Sequence, residues 1–158
     1  MRGFARSEIP FEIDMAVIRS RGTPHQRLHR FHTDEVYRDG QKLGMRFCKA
    51  VRAGNVVHLR GQTGSTLDGA FPYPGDPAAQ ADQAMRNIAA LLEEAGASVE
   101  DICKIHTFIL HRAHREAIYR AVGRHLKGVH PCGTGIIVDG FARPEILVEV
   151  DVVAVIQD

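Results

Sequence analysis

A chain of 158 residues, 44% apolar and 25% charged, is sized for one globular domain with a single core. Its net charge of +1 and its lack of Trp argue against a basic-aromatic nucleic-acid platform, although the balance is uneven, with a net +5 through Arg52 and −4 beyond it. Three cysteines (Cys48, Cys103, Cys132) are too few for a disulfide scaffold. With no long apolar run and no apolar signal segment at the N-terminus, they imply a reduced, cytoplasmic setting away from membranes.

Residues 1–45 read as an N-terminal extension, draped over the core or over a neighbouring subunit. They contain a strand-like piece, 11–18, then a polar stretch with His25, His29 and His32. From residue 46 the signals sharpen. Segments 47–52 and 56–60 flank Ala53-Gly54-Asn55 and read as a hairpin. Gly61-Gln62-Thr63-Gly64 leaves its second strand, and a loop rich in Gly, Pro and Asp follows over 65–75. Asp76 as N-cap and Pro77 at the first helical position open the clearest helix. Its apolar stripe is Ala84, Met85, Ile88, Leu91, Leu92 and Ala95, and Gly96 ends it. A strand is expected over 102–110, with Cys103 alternating into the core. A second helix, about 112–126, carries Ile118, Val122 and Leu126 on one face and stops before Gly128 and Pro131. Strands over 134–138 and 146–156 complete the chain.

The last strand reads ILVEVDVVAVI. Successive side chains of a strand alternate in direction. One face is therefore wholly apolar, and the other carries Glu149 and Asp151 amid Leu and Val. Carboxylates in such company belong to a solvated edge, a subunit interface or an active site. The order β-β-α-β-α-β-β gives an α+β sandwich, a mixed sheet with two helices on one face. The other sheet face needs cover, which predicts an oligomer.

The series VVHLRGQ over 56–62, the helix with Asn87 and Leu91, VEDICKIHTF over 99–108, Pro131 and Val148-Glu149-Val150 together resemble the RidA/YjgF family, once called the endoribonuclease L-PSP family. The resemblance covers about 46–158. It implies a chorismate-mutase-like fold and a homotrimer with ligand clefts between subunits. It also implies cofactor-free and metal-free hydrolysis of small reactive enamines or imines to a carbonyl product and ammonia. On its pattern Glu149 is the catalytic carboxylate that positions water. The backbone of Gly61 and Gln62 meets the ligand, and Phe47 and Tyr119 supply pocket walls. The family's arginine, which clamps the substrate carboxylate, falls on Gly133. This chain therefore looks closer to an arginine-lacking subgroup, and whether the clamp-less cleft is catalytic stays open. The alternatives are a non-catalytic metabolite-binding protein and, more remotely, a ribonuclease.

Around that cleft the residues suggest further contacts. Arg60, just before the Gly61-Gln62 turn, is the candidate replacement clamp, with Arg143 behind it. Cys132, Thr134 and Gly135 are expected near the ligand. Asp151 is expected to be structural, bonded to backbone or to an arginine. Cys48 and Cys132 lack an evident activating base. Neither the His25-His29-His32 set nor His111 with His114 completes a metal-ligand group, so no metal is expected.

Overall fold

The computed structural model describes residues 15–20, 22–36 and 42–157. In chain order they form β1 (Gln26–His32), α1 (Thr33–Val36), β2 (Arg46–Ala53), β3 (Val56–Leu59), α2 (Pro77–Glu94), β4 (Ile102–Ile109), α3 (Arg115–His125), β5 (Cys132–Ile137) and β6 (Val148–Val155). The six strands make one mixed sheet in the order β1-β2-β3-β6-β4-β5, in which only β4 and β5 run parallel. This is the expected α+β arrangement with one strand more. Of the strand-like piece 11–18, residues 11–14 lie outside the described residues and 15–18 carry no strand.

The additional strand, β1, lies inside the segment that composition sets apart as an extension. It pairs with β2 from Gln26 opposite Arg52 to His32 opposite Arg46. Strict alternation of apolar and polar residues does not mark it. His29 adopts a positive φ of 49°, an uncommon value outside glycine. Its ring meets the Glu94 carboxylate of α2 at 2.9 Å. The three N-terminal histidines accordingly diverge: His25 bonds to Ile18 O and His32 accepts from Asp34 N.

Helices α2 and α3 pack on one sheet face. Val148, Val150, Val152 and Ala154 of β6 meet Met85, Ile88, Leu91 and Leu92 of α2 and Ile118 and Val122 of α3 in the core. The Asp76 carboxylate accepts from Ala79 N at 2.9 Å, and Gly96 stands just beyond the helix with φ 75°. Both signals act as their residue types dictate.

The opposite face of the sheet carries the other residues of β6, among them Glu149, Asp151 and Val153, with His106 and Phe108 of β4. These are half-buried, and α2 and α3 pack on the other face. Cys103 departs from expectation. A register shift between Ile102 and Lys104 interrupts the β4–β6 ladder there, so the thiol is exposed instead of entering the core.

Candidate functional site

Backbone pairing around Gln62 builds the floor of a cleft on the sheet face opposite α2 and α3. Gln62 N donates to Val150 O at 2.7 Å, and Val150 N donates to Gln62 O at 2.8 Å. This bridge sits one residue out of register with the β3–β6 ladder. The offset lays the Gly61 backbone against the Glu149 side chain. A methyl group on Gly61 would overlap Glu149 Oε1. Glycine is therefore required here for close approach, not for backbone freedom. The Gln62 side chain is buried and donates to Arg60 O at 2.7 Å, which fixes the turn.

Buried polar groups of α2 hold the cleft wall. Gln80 donates to Tyr73 O and to Glu145 O, each at 3.0 Å, and accepts from Leu147 N at 2.9 Å. Asn87 donates to Ser65 O at 2.7 Å. One helix thus fastens both the loop after Gln62 and the turn before β6. Their contributions, with β1 and β2, enclose about 660 Å³ lined by Phe31, Lys49, Arg60, Gly61, Gln62, Leu67, Arg143 and Glu149, among others. That volume lies within the range of small-molecule sites.

Electrostatically the cleft is mixed. Burial pushes the Glu149 carboxyl above its ordinary pKa of 4.5; the positive charge of Arg60 opposes this and Asp151 reinforces it. The Arg60 guanidinium lies 5.1 Å from the Phe31 ring centre. Arg143 also reaches the cleft, but its guanidinium donates to the Glu145 carboxylate at 2.8 Å and lies over Phe71. Asp151 has a different partner from either one expected: it holds His106 Nδ1 at 2.7 Å. The two side chains face each other across the β4–β6 ladder, a pairing set by tertiary register.

Glu149, Arg60, Gly61 and Gln62 therefore come together in one cleft. Phe47 stands next to Phe31, ring centres 6.1 Å apart, and Phe31 is the aromatic residue that lines the cleft. The remaining predicted residues are elsewhere in the chain. Gly133 and Gly135 pair with Ile105 and Thr107 of β4, on the helix side of the sheet. The Tyr119 hydroxyl of α3 covers Gly135 so closely that a side chain there would overlap it. Cys132 and Thr134 are exposed on β5, two strands away from β6. Burial also pushes the Cys48 thiol up, against the influence of Arg27 and Arg30, which disfavours a nucleophilic thiolate. His111 and His114 meet edge to face with ring centres 5.3 Å apart; among the described residues no group of three or more His, Cys, Asp or Glu could hold a metal ion.

Sequence reasoning missed Lys49 and Phe31, both of which line the cleft. Phe31 lay in a segment without strand signals, and Lys49 was one of many basic residues near the N-terminus. The alternation of β2 was the available signal, since it turns Lys49 away from buried Ala50.

Comparison with known proteins bears on this arrangement. A family model described as Endoribonuclease L-PSP matches residues 41–156. A 2-iminobutanoate/2-iminopropanoate deaminase of Dermatophagoides farinae is 35% identical over 63 residues, 40% of this chain and 49% of the relative, so the match spans about half of that protein. An uncharacterized protein of Streptomyces coelicolor is 30% identical over 108 residues, 68% of this chain and 80% of the relative. Among solved structures, a Mycobacterium tuberculosis member of the YjgF/YER057c/UK114 family superposes with a TM-score of 0.65 at 22% identity, covering 84% of this chain and 100% of the other. That likeness is one of fold.

Proposed function

Because the chain belongs to the endoribonuclease L-PSP family, the RidA/YjgF proteins, we propose that it hydrolyses the C=N bond of a small enamine- or imine-derived acid at the Glu149 cleft. Family membership alone does not fix an activity. The observation that carries the reading is the Glu149 carboxyl, half-buried against Gly61 with its pKa raised, in a cleft of small-molecule size. The deaminase name of a relative supports the same chemistry.

In the proposed reaction the Glu149 carboxylate accepts a proton from a water molecule while that oxygen bonds to the iminium carbon. The product is a carbinolamine. The Glu149 carboxylic acid then returns the proton to the nitrogen. The C–N bond breaks, and the carbinolamine oxygen becomes the carbonyl as its hydroxyl proton passes to the departing ammonia, which leaves as ammonium. A carboxyl whose pKa is raised toward neutrality serves both steps better than an ordinary one. Arg60 neighbours this carboxyl and binds the substrate carboxylate through its planar fork. Gly61 and Gln62 present backbone groups to the ligand.

Cys132, Gly133, Thr134, Gly135 and Tyr119 join the same site only across a subunit boundary. The body of the sheet separates Gly133, Gly135 and Tyr119 from Glu149 within one chain. A homotrimer with its clefts between subunits accommodates both groups.

Ammonia release from freshly generated 2-iminobutanoate tests the reading. Acceleration over buffer is expected. Saturable binding with no acceleration contradicts it and favours the metabolite-binding alternative, which Gly133 keeps in view because it offers no cation.

A further inference from the structure

Asp151 stands two residues beyond Glu149 on β6, so the two carboxyls leave the same sheet face about 7 Å apart along the strand. Across the β4–β6 ladder, Phe108 is opposite Glu149 and His106 is opposite Asp151. The His106 side chain is therefore diagonal to Glu149, a separation of about 7–8 Å that aromatic and long side chains span. Its ring centre is 6.2 Å from that of Phe108. His106 Nδ1 lies 2.7 Å from Asp151 Oδ1. The imidazole is thus bonded to one carboxylate and set beside the other.

Several charged groups share this face with Glu149. Lys49, Arg60 and Arg143 line the cleft, and His58 and Lys104 lie opposite Val153 on the two sides of β6. Burial pushes the Glu149 carboxyl up, Arg60 opposes that push, and the negative charge of Asp151 adds to it. Asp151 is in turn bonded to a group whose own charge can change. An imidazole carries one N–H, an imidazolium carries two and a positive charge. As the neutral ring, His106 donates Nδ1–H and leaves the charge of Asp151 in force. As the cation it keeps the same hydrogen bond and cancels much of that charge. The geometry stays fixed while the field at Glu149 changes.

We propose that His106 is a positioning residue of the Glu149 site: it fixes Asp151 beside the Glu149 carboxyl and, by taking up a proton, switches off the negative charge that Asp151 directs at it. Proton uptake by His106 then favours proton release by Glu149. Neither His106 nor Asp151 is among the residues that line the cleft, so His106 acts through Asp151 and Glu149 rather than on the ligand. This deepens the reading of Glu149 as the proton carrier of C=N hydrolysis and rests on it for the effect on rate. The coupling itself comes from the β4–β6 register and stands independently of any catalysis.

The carbon-13 carboxyl resonance of Glu149, identified by its loss in Glu149→Gln, follows the protonation of this group across pH with no substrate present. Asp151→Asn is expected to move the Glu149 titration to lower pH, because a like charge is gone. His106→Gln keeps a donor for Asp151 but cannot become a cation, and is expected to move the titration to higher pH. Made in the Asp151→Asn background, His106→Gln is expected to move it much less. The proposal is overturned if His106→Gln leaves the Glu149 titration where native protein has it, whatever it does to stability, since that marks a structural role alone. Equal effects of His106→Gln in the two backgrounds overturn it as well. The acid limb of ammonia release from 2-iminobutanoate is expected to move with the titration in each variant. A native protein that releases no ammonia, while its Glu149 titration moves as described, would sink the hydrolase reading and keep the coupling. Ammonia release with an unmoved titration would do the reverse.

Discussion

At the scale of single residues the account turns on Gly61 and Glu149. Gly61→Ala would drive a methyl group into the Glu149 carboxyl. The carboxyl is displaced, and ammonia release is expected to fall at least about tenfold while ligand binding weakens less, because misplacing a reacting group penalises chemistry first. The raised pKa of Glu149 also predicts a stability signature. A carboxyl with a folded-state pKa above its unfolded value favours the folded state below the unfolded pKa, and that contribution is lost as pH rises through the folded pKa. Native protein should therefore lose stability relative to Glu149→Gln as pH climbs from about 4 toward neutrality, as read by denaturant titration at several pH values. A constant difference would contradict the buried-acid assignment. Glu149 stands out in the sequence as an acid amid Val and Ile, where burial is costly, and its assignment to the cleft comes from the family resemblance. The His106 partner of Asp151 could not be read there, since the β4–β6 register that joins them is set by packing of the whole sheet.

Among the elements, α2 shows how a core helix shapes a functional surface. Its ends were legible from Asp76, Pro77 and Gly96, and its apolar stripe from spacing. The purpose of its buried Gln80 was not, because the three backbone groups it satisfies belong to distant loops. Gln80→Leu is expected to destabilise the fold by about 3–5 kcal/mol, since each buried backbone group left unpaired costs about 1–3 kcal/mol. A loss under about 1 kcal/mol in thermal or denaturant unfolding would contradict that role. Strand β1 is the element that sequence pattern hid. Leu28 packs toward the core and Phe31 faces the cleft, three positions apart, with the positive φ of His29 between them. That spacing resembles a helical one as much as a strand, so the segment carries no strand alternation.

For the whole molecule, the sheet face opposite α2 and α3 is the feature that most needs a partner. It presents half-buried Val51, Val153, Phe108 and Ile136 beside the hydrogen-bonded His106 and Asp151. Faces of that composition mark association surfaces. The proposed homotrimer would sediment at about three times the 17.5 kDa chain mass. A stable monomer at micromolar concentration would contradict the shared-cleft account. The alternation of β6 announced both faces, yet a pattern of side-chain directions cannot tell a partner's surface from a ligand's. The central claim is that Glu149 performs the proton transfers of C=N hydrolysis, and the most direct measurement is ammonia release from 2-iminobutanoate by native protein and by Glu149→Gln across pH. The account predicts a native rate that rises with pH through the raised pKa of Glu149, and a loss of about 100-fold or more in Glu149→Gln with 2-oxobutanoate affinity largely kept. Equal rates for the two proteins, or a native rate indistinguishable from buffer, would contradict it.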